Sequence, residues 1–302
     1  PAGPLIVATL VNRFEGDSAL FHDGRAFIAE RTGVPCLGPV PYFADACRLP
    51  AEDVLALEAP RRGGGAYVVA VPRLPRIANF DDLDPLRAEP GVNVIVGEPG
   101  TPLPADTDLV ILPGSKATRA DLAALKAEGW DIDIKAHLRR GGRVLGICGG
   151  YQMLGKTIAD PQGIEGAPGV SDGLGLLEIE TVLEPVKQLR VEHAEDAASG
   201  AAIEGYHMHM GRSEGAGRSR PFARIEGQPE GARSADGRVM GTYLHGLFAA
   251  DGFRRAFLGN AADAATQYEA GVEAALDGLA AHLAAHLDLT QLLALARPVR
   301  QA

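Results

Sequence analysis

The sequence predicts an α/β protein: two parallel-sheet units joined by a glycine-rich linker and followed by a helical tail. Three observations predict this. Short apolar runs recur along the chain as "LIVATLVN" (5–12), "YVVAVP" (67–72), "VNVIVG" (92–97), "DLVILPG" (108–114) and "RVLGIC" (143–148). They are continuous rather than alternating, as strands buried on both faces of a parallel sheet are. The series is interrupted by "APRRGGGA" (59–66), which has almost nothing to bury and reads as a linker. Near the C-terminus Tyr268, Val272, Leu276, Leu279, Leu283 and Leu287 recur at steps of three and four, the period of an amphipathic helix. The expected boundaries are therefore 1–60, 66–260 and 261–302.

Each element follows from local chemistry. Residues 5–12 read as a buried parallel strand ending in Asn12. Asp17 to Arg31 reads as a helix closed by Gly33. "VPCLGPVPY" (34–42) is a strand broken into a loop by its prolines, and 49–58 is polar and then helical. After the linker come four strands, with the helix "KATRADLAALKAEGW" (116–130) between the third and fourth. Strand, helix and strand at this spacing give parallel pairing with helices on the sheet faces. Further strands with Gly-rich turns are expected around 174–183 and 222–243.

Composition narrows the function. With 29 Lys+Arg against 39 Asp+Glu the net charge is -10, which disfavours general nucleic-acid binding. No apolar run approaches the roughly 20 residues of a membrane span, and no signal peptide is recognisable. Cys36, Cys47 and Cys148 have no paired spacing, so free thiols in a reducing, cytoplasmic setting are expected. A first residue Pro1 placed directly before a strand pattern suggests a piece of a longer chain.

The stretch "GRVLGICGGYQMLGKT" (142–157) matches two motifs. Gly150 to Thr157 fits G-x-x-x-x-G-K-[ST], a phosphate loop. Gly146 to Gly150 fits a nucleophile elbow with Cys148 at its tip. A phosphate loop wraps backbone amides around an anion before its helix begins. Here the strand ends at Ile147, and Gln152, Met153 and Leu154 favour helix at once. The elbow accounts better for both glycines, and it projects Cys148 at the carboxyl edge of the sheet, where open α/β folds place their sites. A buried structural cysteine before a Gly turn is the plain alternative. A thiol nucleophile needs a base and an oxyanion site. His245 in "GTYLHGLF" (241–248), 97 positions downstream, is the candidate base. The amides of Gly149, Gly114 and Ser115, the last two in "LPGSK", are the candidate oxyanion donors.

At these residues the sequence resembles a known family. "LPGSKATRADLAAL", "GRVLGICGGYQMLGKTIADPQGIEG", "GYHMHMGRSEG" and "GTYLHGLF" resemble the CobB/CobQ-like glutamine amidotransferase domain of cobyric acid synthases. "PRIANFDDLDPLRAEPGVNV" (75–94) is similar to the segment by which that domain begins. "LVNRFEGDSALF" and "VPCLGPVPYFADACRLPAEDVLAL" are similar to the end of the family's dethiobiotin synthetase-like P-loop domain. The resemblance implies a remnant of that synthetase domain followed by a class I, triad-type amidotransferase domain. It implies Cys148 as nucleophile toward L-glutamine and His245 as proton carrier, with Gln152 and Tyr151 at the bound substrate. Asn12, Pro41 and Tyr42 match the adenine-reading region of the synthetase domain. For the intact enzyme it implies ATP and Mg²⁺, and a corrinoid substrate, adenosylcobyrinic acid a,c-diamide. It also implies that this chain lacks the N-terminal ATP-binding segment and so lacks ligase activity by itself.

The departures are few. Glu15 stands where the family has Arg, Ala117 where it has Asn, and His207 where it has Glu. Many class I amidotransferases carry an acid two residues after the catalytic His; here Leu247 stands there, so the group orienting His245 is open. Alternatives are the sister enzyme, cobyrinic acid a,c-diamide synthase, or a non-catalytic glutamine-binding scaffold. His207 and His209 alternate on one strand, and His282 and His286 lie one helical turn apart. Neither pair brings a third ligand, so no metal site is expected. Asp17, Glu52 and Asp53 are either helix-capping carboxylates or groups facing the corrinoid or metal.

Overall fold

The computed structural model describes residues 6–50 and 65–296, apart from the side chains of 186–188. These residues form two compact units. One comprises the chain up to Pro50 together with the chain from Glu269 onward; the other ends at Tyr268. The tail therefore groups with the N-terminal segment. Residues 51–58 of the expected helix, with Glu52 and Asp53, and most of the linker 59–66 lie outside the described residues.

In the first unit Thr9–Leu10 pairs in parallel with Cys36–Leu37, as the apolar run at 5–12 suggests. Its expected burial is not found: Ile6, Val7 and Leu10 are 53%, 37% and 49% exposed. Among the described residues the sheet here has two strands, and the helix that follows, His22–Thr32, buries none of its own residues. Asp17 caps the turn Ser18–Phe21 by accepting from the Ala19 amide at 2.9 Å, which decides for the capping role. Gly33 closes the helix with φ 71°, a conformation that suits glycine. The strand read over 34–42 shrinks to Cys36–Leu37, because Pro35, Pro39 and Pro41 lack ladder donors. The tail is two helices, Tyr268–His286 and Leu289–Leu295, with Asp288 capping the second.

The second unit is built on a six-stranded sheet. Its order is Ala232–Arg233, Val239–Thr242, Arg143–Ile147, Leu109–Leu112, Tyr67–Pro72 and Val92–Gly97. The last five are parallel and the first is antiparallel. Val69, Val71, Leu109, Ile111, Val144 and Leu145 are fully buried, which is why these strands read as unbroken apolar runs. The helix expected over 116–130 is two helices, Thr118–Ala127 and Trp130–Arg139. Gly129, at φ 76°, turns the chain between them.

A second, mostly antiparallel sheet contains the strands expected around 174–183 and at His207 and His209, but its extent was not legible in the sequence. Its spine is a long hairpin, Glu180–Asp196 with Ala202–Glu214. Thr157–Asp160 and Gly169–Asp172 extend one side, and Leu244–His245 pairs with Tyr206–His207 on the other. The hairpin inverts the usual alternation. Leu189 and Val191 face solvent at 66% and 78% exposure, while Glu192 and His207 are buried. A polar-looking stretch is thus a strand whose acid and histidine point inward.

Parallel pairing sets the function. Four strands end on one edge of the sheet, and each delivers a different residue set there. After Ile147 comes Cys148; after Leu112, Gly114–Ser115; after Thr242, Leu244–His245; after Pro72, the segment Ile77–Leu83.

Candidate active site

The elbow is real in backbone terms. Cys148 stands between the strand Arg143–Ile147 and the helix Gly149–Leu154 at φ 52°, ψ -109°, a strained conformation for a residue with a side chain. Its amide is held by Thr242 O at 2.8 Å. Crowding accounts for the glycines. A Cβ on Gly146 would lie 2.5 Å from Gly150 O, and one on Gly150 would lie 2.0 Å from Leu112 O. The phosphate-loop reading fails on the same geometry. Its Gly155-Lys156-Thr157 follows the helix and opens a strand, with Lys156 N donating to Ile179 O at 2.7 Å. No amides wrap an anion ahead of a helix, as a phosphate cradle requires.

His245 reaches the elbow from the neighbouring strand end and is fully buried. Gly114 makes room for it: a Cβ there would touch His245 Cε1 at 3.2 Å. The group that orients the ring, left open by the sequence, is Asp82. Its Oδ2 lies 2.7 Å from His245 Nδ1, and its Oδ1 accepts from the Gly246 amide at 2.7 Å. Asp82 is 3% exposed and lies in a short 3₁₀ turn, Phe80–Leu83, entered through Asn79 at φ 55°. The only sequence signal was the acidic run in "NFDDLDP", which does not say which acid turns inward. Tyr206 stacks on the imidazole at 5.3 Å and 21°, with its hydroxyl accepting from Asn79 Nδ2 at 2.8 Å.

Charge follows from this cage. Burial by itself would lower the His245 pKa, but the Asp82 carboxylate, by charge and by hydrogen bond, outweighs it. The Cys148 thiol adds to this, and the pKa is pushed up to about 10. His245 Nε2 is buried and makes no hydrogen bond at ordinary distance. The thiol is nonetheless near enough to favour its protonation, and such contacts are commonly loose before substrate arrives. Cys148 Sγ lies 3.6 Å from Met208 O.

The remaining predicted residues divide clearly. The Ser115 hydroxyl donates to Asp121 Oδ2 at 2.7 Å and accepts from Ala117 N at 3.0 Å, so its side chain is tied into the turn. Its amide nitrogen lies 3.0 Å from where a Cβ on Gly149 would be. Gly114 is paired with Ala78 in a short antiparallel ladder. Gln152 is 2% exposed, with Nε2 donating to Met210 O at 3.0 Å and to Tyr243 Oη at 3.2 Å. Tyr151 is also buried, its ring filling the space beside Gly241. In the other unit, Asn12 and Pro41–Tyr42 lie on adjacent segments, linked by Phe14 N to Val40 O at 2.9 Å and Tyr42 N to Phe14 O at 3.1 Å. His207 sits between two acids, Nδ1 3.4 Å from Glu192 and Nε2 3.9 Å from Glu230. Burial, and then neighbouring His207, lower the His209 pKa to about 4. Among the described residues no group of three or more His, Cys, Asp or Glu is placed to hold a metal.

An α/β sheet edge that brings together an elbow cysteine, an inward histidine and an acid behind it has the parts a triad-type thiol site requires. The profile of the CobB/CobQ-like glutamine amidotransferase domain matches residues 68–253. The chain belongs to that family. It is 58% identical to a cobyric acid synthase of Cereibacter sphaeroides over 295 residues, covering 97% of this chain and 61% of that protein. It is 60% identical to one of Paracoccus denitrificans over 294 residues, again covering 97% and 61%. This chain therefore spans about three fifths of the length of these relatives. Among solved structures, a glutamine amidotransferase aligns over 64% of this chain and 98% of its own, at 21% identity and TM-score 0.48. No helix among the described residues is long and apolar enough to cross a membrane.

Proposed function

We propose that the second unit hydrolyses L-glutamine and supplies ammonia, with Cys148 as nucleophile. The observation that carries this is the line Asp82–His245–Cys148 at the strand ends, with the 2.7 Å contact fixing the imidazole. The Asp82 carboxylate favours the imidazolium form of His245, so the thiol proton passes to Nε2 as Sγ attacks the carboxamide carbon. The carbonyl oxygen becomes an oxyanion, and the Gly149 and Ser115 amides are the donors proposed for it. His245 Nε2 gives its proton to the departing nitrogen as the C–N bond breaks, which releases ammonia and leaves a glutamyl thioester. Water then attacks the thioester carbon and loses a proton to His245; glutamate departs and Cys148 is regenerated. Asp82 moves no proton; it holds the ring and stabilises its charge. Gln152 acts from beneath, by holding Met210 O on the strand that also carries Met208, and Tyr151 packs against Tyr243 and Gly241.

The relatives' name supports a wider proposal: the full enzyme amidates corrinoid carboxylates, adenosylcobyrinic acid a,c-diamide in particular, in cobalamin biosynthesis in the cytoplasm. ATP and Mg²⁺ would serve that ligase reaction. The Gly155-Lys156-Thr157 geometry does not fit a phosphate. Asn12, Pro41 and Tyr42 are the proposed adenine contacts. The test is glutamate release by this chain and by its Cys148→Ser variant, each with and without ATP. Release that needs Cys148 and ignores ATP is expected; equal release by both proteins would refute the reading.

A further inference from the structure

Glu165 has a setting that hydrolysis alone does not explain. It lies in the loop between Thr157–Asp160 and Gly169–Asp172, shaped by the Asp160 carboxylate accepting from the Ile164 and Glu165 amides at 2.8 and 2.9 Å. Arg119 ties the far side through Ala167 O at 2.8 Å and Ser171 Oγ at 3.0 Å. The loop thus presents Glu165 in one place. Its Oε1 lies 3.2 Å from Thr118 Oγ1, which is also 3.1 Å from Gln152 Oε1. Thr118 has one hydroxyl proton for these two oxygens, so Gln152 and Glu165 share that donor. The carboxylate also accepts from the Arg119 amide, at 3.4 Å from Oε2, and from the Thr118 amide. Burial raises the Glu165 pKa despite those hydrogen bonds. Among the described residues no Lys, Arg or His forms an ion pair with it. A half-buried carboxylate without a cation is costly unless something brings one.

Position says what brings it. Thr118 Oγ1 is 3.2 Å from where a Cβ on Gly149 would be, so Glu165 stands one side chain away from the elbow. In extended glutamine the carboxamide carbon and the α-nitrogen are about 5 Å apart, from ordinary bond lengths. We propose that Glu165 anchors the α-ammonium group of the substrate, making the site selective for an α-amino amide over the same amide lacking the amine. This rests on the reading of Cys148 as the glutamine nucleophile.

The test separates the two claims by measuring binding rather than turnover. The 302-residue chain carrying Cys148→Ser, and the same chain carrying Glu165→Gln as well, are titrated with L-glutamine and with glutaramate, which lacks the α-amine. The Gly149 amide resonance reports saturation. Losing a hydrogen bond to a charged group weakens glutamine binding about 10- to 150-fold in the double variant, while glutaramate binds both proteins alike. Unchanged glutamine binding overturns the proposal. So does an equal loss for both ligands, which marks a purely structural role. If glutamine does not bind the Cys148→Ser chain at all, the glutamine site itself is refuted and this inference with it.

Discussion

Replacing Asp82 by Asn tests the charge logic of the site. Asp82 is the group that lifts His245 to about 10 against its burial. An Asn of the same shape removes the charge and leaves the burial, so the imidazole pKa falls to or below its ordinary value of about 6.5. At pH 7.5 the protonated fraction then drops from over about 99% to under about 10%. The amide also presents an NH₂ where Nδ1–H needs an acceptor, which favours the wrong tautomer. Loss of general-acid chemistry and of orientation together predicts a fall in kcat of about 10²- to 10⁴-fold. Glutamate release gives kcat, and ¹⁵N-resolved titration of the His245 ring gives the pKa. A ring that still titrates near 10 in the variant, or a kcat close to that of the parent chain, would refute the reasoning.

Other outcomes follow from the same structure. His245 titrates near 10 when folded and near 6.5 when unfolded, so its stabilisation is full below about pH 6.5 and is lost as pH rises through about 10. Denaturant midpoints of the parent and Asp82→Asn chains should therefore converge toward pH 10. Cys148→Gly should be more stable than Cys148→Ser by about 1 kcal/mol, because glycine accepts φ 52°, ψ -109° without strain; equal urea midpoints would contradict this. Gly150→Ala should cost at least about 3 kcal/mol or prevent folding, since its Cβ would lie 2.0 Å from Leu112 O; a parent-like melting curve would count against the model of the elbow. Arg254 and Glu89 form a fully buried ion pair at 2.6 Å. Arg254→Met should lose about 3–5 kcal/mol by leaving Glu89 unpaired, and adding Glu89→Gln should restore part of it.

What the sequence disclosed depended on how local the signal was. Four of the five parallel strands of the second unit were legible as apolar runs, and the fifth, Val239–Thr242, fell within the strands expected around 222–243. Cys148 and His245 were legible because each sits in a short Gly-marked strand end. Asp82 was not, because it meets His245 across 163 positions and its neighbours Asp81 and Asp84 look the same in the sequence. Of the hairpin Glu180–Asp196 with Ala202–Glu214, only its start near 180–183 and the strand bearing His207 and His209 were legible; its length was not, because its alternation puts Leu189 and Val191 outside and His207 inside. The run at 5–12 misled in the opposite way: its parallel pairing is present, but its side chains are exposed. Gln152, expected at the substrate, has its amide nitrogen engaged by protein partners, and only the assembled fold places Glu165 near Gly149.

The most direct test of the central claim is to trap the nucleophile. The chain is treated with 6-diazo-5-oxo-L-norleucine, an electrophilic glutamine analogue, and the adduct is located by peptide mass spectrometry. Cys47 is exposed and Cys36 buried, so simple accessibility would favour Cys47. A single adduct on Cys148, suppressed by L-glutamine and absent from Cys148→Ser, is predicted. An adduct on Cys47 with Cys148 untouched would contradict the account.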